Sequence, residues 1–178
     1  AATQFRVERT PLAELRGWRV DARTGNVVHE TGKFFQVVGL DVSMESLARK
    51  HWQQPILRQP EIGILGMLAQ RIDGQMHFLV QAKMEPGNVN LLQLSPTLQA
   101  TRSNFTQVHG GRKPRYLEYF LGADADDVLV DQLQSEQGSK FLQKRNRNMV
   151  VLAPDRAAMP VNEDFKWVTI AQTPRFLR

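Results

Sequence analysis

The chain has 178 residues, 42% of them apolar, enough for one domain of ordinary size with its own core. It has no cysteine, which excludes disulfides, thiolate catalysis and cysteine-bound zinc, and its 23 basic against 18 acidic residues leave a net charge of +5, suited to an anionic partner. No apolar run approaches membrane-spanning length and no signal-peptide pattern opens the sequence, so the expectation is a cytoplasmic protein with no membrane partner.

In chain order, Phe5 opens a candidate strand, and Thr10-Pro11-Leu12-Ala13-Glu14-Leu15 reads as a short helix with Thr10 as N-cap and Pro11 in its first position. Thr24-Gly25-Asn26 is turn chemistry. Phe34 to Leu40 is a strand leading into Ser43, the predicted cap of a short helix through Arg49, and the Gln- and Pro-rich stretch Gln53 to Pro60 reads as a connector. Ile62 to Glu85 gives two apolar-rich strands joined at Asp73-Gly74, the pair that favours a two-residue type I′ turn.

Pro86-Gly87-Asn88 ends that hairpin, Gln93 to Thr101 follows as a further strand-like segment, and Gly110-Gly111 marks a turn before Tyr116 to Phe120. Val128 to Gln132 and Met149 to Leu152 are strands, Glu136 to Lys144 a predicted helix, and Asp164 the cap of a closing helix through Gln172. Strands outnumber helices without regular alternation, which points to an α+β fold with a mixed, largely antiparallel sheet and flanking helices.

Two segments stand out for their polar faces. Period-two reading puts His77, Gln81, Lys83 and Glu85, with Leu79, on one side of the first, and Gln93, Ser95, Thr97, Gln99 and Thr101 on one side of the second. Amides and hydroxyls dominate there, groups suited to hydrogen bonding a neutral polar ligand, although an ordinary solvated sheet face has the same alternation. Lys83 and Glu85 are close enough to couple, so that one holds the other's charge while a proton moves; a surface ion pair has the same spacing.

Arg102, Lys144, Arg145 and Arg147 match phosphate oxygens in charge and shape, the amides of Asn146 and Asn148 suit sugar hydroxyls or turns, and Trp52 and Tyr116 offer stacking surfaces or core. The basic residues are otherwise scattered with no interleaved aromatics, so nucleic acid is not an expected partner. No P-loop, dinucleotide-binding glycine motif, nucleophile elbow or His-Glu-x-x-His is present, and His29, His51, His77 and His109 lack metal-ligand spacing. Asp124, Asp126 and Asp127 lack calcium-loop spacing and read as a solvated loop.

Several strings recur together in one family. Arg16-Gly-Trp18, Gly32-Lys33-Phe34-Phe35, Trp52-Gln-Gln-Pro55, His77 to Asn88, Gln93 to Thr101, Tyr116-Leu-Glu-Tyr119, Leu133-Gln-Ser-Glu-Gln-Gly138 and Arg145-Asn-Arg-Asn148 give the chain its resemblance to the NDP-hexose 2,3-dehydratases of deoxysugar biosynthesis. The resemblance implies a Nudix-like α/β/α sandwich, usually present as two units in tandem, of which this chain resembles the N-terminal one; residues 1–178 are expected to be a single repeat, either an excised half or a single-repeat relative that pairs with itself as a homodimer. The Nudix metal-binding helix has no counterpart here, so no metal and no diphosphate hydrolysis is expected.

The implied substrate is a nucleoside-diphosphate 4-keto-6-deoxyhexose, commonly the dTDP sugar. Its C4 ketone acidifies the C3 proton, a base removes that proton, the C2 hydroxyl leaves as water, and the enol becomes a 3,4-diketo sugar that an NADPH-dependent 3-ketoreductase then captures. The net change is an elimination, so no redox cofactor is expected. On this resemblance Lys83 and Glu85 carry proton transfer with His77 and Glu136 in reserve, Gln93, Gln99 and Thr101 hold sugar hydroxyls or the developing enolate, and Gln81, Gln134, Ser135 and Asn146 are further substrate-binding residues. Arg102, Arg145 and Arg147 meet the diphosphate, and Trp52 and Tyr116 pack the base or sugar. The alternative is a non-catalytic nucleotide-sugar-binding repeat that needs a second unit for activity.

Overall fold

A computed structural model describes residues 5–45, 50–90, 92–101, 103, 113–154 and 159–172. The chain divides into two compact units, one built from Glu8–Glu61 and Ser135–Arg145, the other from Ala1–Val7, Ile62–Gln134 and Asn146–Arg178. The fold is mostly β-strand with a mixed sheet. Among the described residues helix is sparse, with α1 (Leu117–Leu121), short 3-10 turns and Ser103 in helical conformation, against the flanking helices expected from the sequence.

The first unit holds an antiparallel sheet in the order β1 (Trp18–Val20), β2 (Val27–His29), β3 (Gln36–Met44), β4 (Lys50–Arg58). The Gln53 to Pro60 stretch is therefore mainly strand, not connector. Pro55 sits opposite Gly39 in a terminal strand of that sheet, where its missing N–H breaks no central ladder. Ser43 belongs to β3, so it caps no helix, and Arg49 lies outside the described residues. Only Leu12–Glu14 winds into a 3-10 turn near the chain start; it follows Pro11 directly and has no side-chain cap, so Thr10 does not play the expected role.

The predicted helix over Glu136 to Lys144 is absent. The Gln137 carbonyl accepts from both Lys140 N and Phe141 N, at 2.9 Å each, which closes one turn. The chain then extends so that Lys140 O and Leu142 N bond the backbone of Leu57, a long-range pairing that local propensity does not encode.

The second unit holds a sheet in the order β11 (Phe165–Val168), β6 (Gln75–Met84), β5 (Gly63–Ile72), β10 (Arg145–Leu152), β9 (Val128–Ser135), with β7 (Leu92–Pro96) beside β6 and β8 (Leu98–Ala100) beside β5. β10 runs parallel to β5, whereas β6, β7, β8 and β11 pair antiparallel. The β5–β6 hairpin turns at Asp73 and Gly74, whose φ angles of 48° and 77° fit the type I′ turn. Asp164 caps no helix: it precedes β11, where Phe165 to Val168 pair with Gln81 to Phe78. The Gly110-Gly111 turn lies outside the described residues.

β5 and β6 pair from Leu68–Leu79 out to the turn and then separate, so that β8 takes over β5 and β7 takes over β6. Thr97, between β7 and β8, occupies the fork. Its hydroxyl accepts from Leu68 N at 2.9 Å and donates to Leu79 O, which satisfies two backbone groups where the ladder ends. Thr97 is thus buried, and the Gln93 to Thr101 segment is two strands with a bend. Leu68, Leu79, Leu98, Tyr116, Leu117, Phe120, Val151 and Phe165 are among the buried side chains that form this unit's core.

Candidate functional site

The splayed hairpin creates the polar surface that the sequence pattern points to. Because β7 leaves the fork antiparallel to β6, Gln81 lies opposite Ser95 and Lys83 opposite Gln93, and β8 carries Gln99 past the same face. Lys83 Nζ lies 2.7 Å from Glu85 Oε1 and donates to Gln99 Oε1 at 3.1 Å, while Ser95 Oγ donates to the same oxygen at 3.4 Å. The alternation thus brings Gln81, Lys83, Glu85, Gln93 and Gln99 together.

Two cavities share Lys83 and Gln99. One, of about 230 Å³, is also lined by Gln81, Thr97, Lys113, Arg115 and Phe165. The other, of about 110 Å³, is also lined by Glu85, Asn88, Gln93 and Ser95. The surface offers an ammonium, a carboxylate and several amides, a set able to move a proton and to hold hydroxyl and carbonyl groups.

Arg115 and Asp164 enter this site without any signal in the sequence. Arg115 Nη1 lies 2.5 Å from Asp164 Oδ1, and Gln81 Nε2 donates to Asp164 Oδ2 at 2.8 Å. Their positions depend on β11 pairing with β6 across more than eighty residues of chain, which no local period reveals.

Other expected residues are placed elsewhere. His77 lies opposite Gln70 towards the hairpin turn, with Nδ1 3.1 Å from Gln75 O, and lines neither cavity. Tyr116 is 5% exposed in the core; its hydroxyl donates to Pro160 O and accepts from Asn162. Thr101 pairs with Ser103, Oγ to Oγ at 3.0 Å, and Gln134 donates to Gln132 on exposed β9. Asn146 is buried, accepting from Gly63 N at 3.1 Å, a close approach: a Cβ at position 63 would stand 3.0 Å from Ala100 O and 3.1 Å from the Asn146 oxygen.

Arg147 makes a two-pronged contact with Asp131, at 2.7 and 2.5 Å, which lowers the Asp131 carboxyl below its ordinary range and raises the guanidinium. Arg102 lies outside the described residues. Trp52, Ser135, Glu136 and Arg145 belong to the other compact unit. There Trp52 Nε1 donates to Gln54 Oε1 at 2.8 Å, and buried Lys144 donates to Glu61 O, with burial lowering its pKa against the opposing pull of Glu61 and Glu136. Among the described residues no group of three or more His, Asp or Glu is placed to hold a metal ion.

The family model described as NDP-hexose 2,3-dehydratase matches residues 1–178. The chain is 55% identical over 174 residues to a dTDP-4-dehydro-6-deoxy-alpha-D-glucopyranose 2,3-dehydratase of Saccharopolyspora spinosa, a match covering 98% of this chain and 35% of the relative. It is 52% identical over 176 residues to a protein of the same name from Amycolatopsis orientalis, covering 96% and 37%, and 53% identical over 169 residues to one from Streptomyces violaceoruber, covering 94% and 38%. The chain spans little more than a third of the length of these curated relatives.

Proposed function

This chain belongs to the NDP-hexose 2,3-dehydratase family, and on that premise we propose that its polar strand face holds a dTDP-4-keto-6-deoxyhexose and removes water across C2 and C3, a carbon–oxygen lyase reaction. The observation that carries this reading is the Lys83–Glu85 pair, 2.7 Å apart between two amide-lined cavities. The Glu85 carboxylate accepts the C3 proton that the C4 ketone acidifies, and the Lys83 ammonium protonates the C2 hydroxyl as it leaves. Both bonds break from one side of the ring, the proton returns from Glu85 to Lys83, and the enol tautomerises to the 3,4-diketo sugar.

Amides from Gln93 and Gln99 meet the sugar oxygens. One well-placed donor to a developing oxyanion is worth about 3 kcal/mol of barrier. Lys113, which lines the larger cavity, supplies positive charge for the diphosphate. The reaction passes no electrons outward and requires no redox cofactor.

We take residues 1–178 as one Nudix-like repeat, a reading supported by the mixed sheet with its parallel β5–β10 pair. The repeat works as a homodimer in the cytoplasm, upstream of an NADPH-dependent 3-ketoreductase. A second reading, a binding repeat that depends on another unit for turnover, is favoured by the small share of the relatives' length that the chain spans.

One experiment separates these readings: incubation with dTDP-4-keto-6-deoxyglucose, a 3-ketoreductase and NADPH, with product mass and calorimetric binding followed together. A product lighter by one water before reduction, and so by one oxygen atom after it, establishes a working dehydratase. Tight binding without turnover establishes the binding repeat, and neither overturns both.

A further inference from the structure

The hydrogen bonds around the larger cavity fix the direction in which two amides face. A carboxylate only accepts, so the contact of Gln81 with Asp164 Oδ2 at 2.8 Å turns the Gln81 NH2 group to Asp164 and leaves its carbonyl oxygen without a partner among the described residues. Asp164 is itself held from two sides. Its backbone carbonyl accepts from Ala82 N at 2.8 Å, next to Gln81 in the strand, and its other carboxylate oxygen is taken by Arg115. Gln99 has the opposite arrangement: Lys83 Nζ and Ser95 Oγ both donate to its oxygen, which leaves its NH2 group to donate. Gln81 and Gln99 line the same cavity with Lys83.

We propose that Asp164 is a positioning residue that locks Gln81 as a hydrogen-bond acceptor, so that Gln81 and Gln99 together select an α-hydroxy ketone. The inference rests on the sugar-nucleotide reading and deepens it. Gln81 Oε1 accepts from the hydroxyl on C3, and Gln99 Nε2 donates to the adjacent ketone oxygen on C4, where negative charge develops as the C3 proton leaves. If Gln81 were free to rotate, it would present NH2 half the time, to which the hydroxyl could only accept, and the fixed pairing that favours a donating hydroxyl would be weakened.

The test uses two ligands with no hydroxyl at C2, which cannot undergo the elimination: dTDP-4-keto-2,6-dideoxyglucose, and the same sugar also lacking the C3 hydroxyl. Calorimetry on the full chain is expected to show the first bound about tenfold more tightly than the second, the effect of one neutral hydrogen bond. Asp164→Ala is expected to shrink that ratio while leaving the affinity for dTDP unchanged. Gln81→Met does the same without disturbing the Arg115–Asp164 contact, and Arg115→Met, which leaves Asp164 on Gln81, preserves the ratio.

In parallel, the Gln81 side-chain amide proton that faces Asp164 is expected to be shifted downfield and protected from exchange with solvent, and to lose both features in Asp164→Ala. A ratio that survives Asp164→Ala and Gln81→Met in a protein that binds both sugars overturns this inference alone. Failure of the unaltered chain to bind dTDP or either sugar overturns the sugar-nucleotide reading and the hydroxy-ketone assignment with it, whatever the NMR signals show.

Discussion

Lys83 Nζ lies 2.7 Å from Glu85 Oε1, with the two side chains 29% and 42% exposed. A pair this open contributes little to stability, about 0–1 kcal/mol, because water already solvates both charges. Loss of a positioned proton donor or acceptor, in contrast, slows a reaction by about 10²–10⁴-fold. Lys83→Met and Glu85→Gln are therefore expected to abolish detectable turnover in the coupled dehydratase assay while leaving the circular dichroism spectrum and urea midpoint close to those of the unaltered chain. Near-normal turnover in Lys83→Met would remove this pair from the mechanism.

Thr97→Val tests the fork between β5 and β6. Valine nearly matches threonine in shape but offers neither the acceptor that Leu68 N uses nor the donor that Leu79 O uses, and both backbone groups are buried with residues 0% exposed. Stranding buried polar groups costs about 1–3 kcal/mol each. Urea unfolding should show a lower midpoint with an unchanged slope, and an unaltered midpoint would mean that water or a backbone shift replaces the hydroxyl. The loss should also loosen the face that carries Lys83 and Gln99, since β7 and β8 leave the fork on either side of Thr97.

The strand-rich character, the Asp73-Gly74 hairpin and the clustering of Gln81, Lys83, Glu85, Gln93 and Gln99 were legible from local turn chemistry and period-two alternation. The alternation mistook Thr97 for a surface residue, because a one-residue bend separates Pro96 from Leu98 and turns the hydroxyl inward. It also read the proline-bearing Gln53 to Pro60 as a connector, since tolerance of Pro55 depends on β4 lying at the end of its sheet. Arg115 and Asp164 were invisible because a long-range pairing, not a local pattern, brings them to Gln81. The helix expected over Glu136 to Lys144 gave way to backbone pairing with Leu57, an override of propensity by tertiary contact.

Gly66→Ala probes how β5 meets α1. A Cβ on Gly66 would stand 2.4 Å from Phe120 Cε1, and Phe120 is 2% exposed within the core, so its ring has little room to retreat. Overpacking of this kind costs about 1–3 kcal/mol. Thermal unfolding should show a lowered Tm, and combining Gly66→Ala with Phe120→Leu should recover part of the loss, because the smaller side chain vacates the space the methyl needs. Additive destabilisation in the double variant would show that the steric conflict lies elsewhere.

The Asp131–Arg147 contact sets a pH dependence whose sign follows from the depressed Asp131 pKa. Hydrogen bonding and charge from Arg147 favour the ionised carboxylate in the folded state, so near the ordinary carboxylate pKa the unfolded chain binds more protons than the folded one. The stabilisation is therefore present in full above the unfolded pKa of about 3.9 and disappears as pH falls through the lower folded value. With both side chains more than a third exposed, its size is about 0.2–1 kcal/mol. Urea unfolding of the unaltered chain and of Asp131→Asn between pH 7 and pH 3 should show a gap in favour of the former at neutral pH that closes below about pH 4. A gap that persists unchanged to the acid end would mean that Asp131 stabilises through packing or through hydrogen bonds that survive protonation, and that the charge on Arg147 is not what holds it.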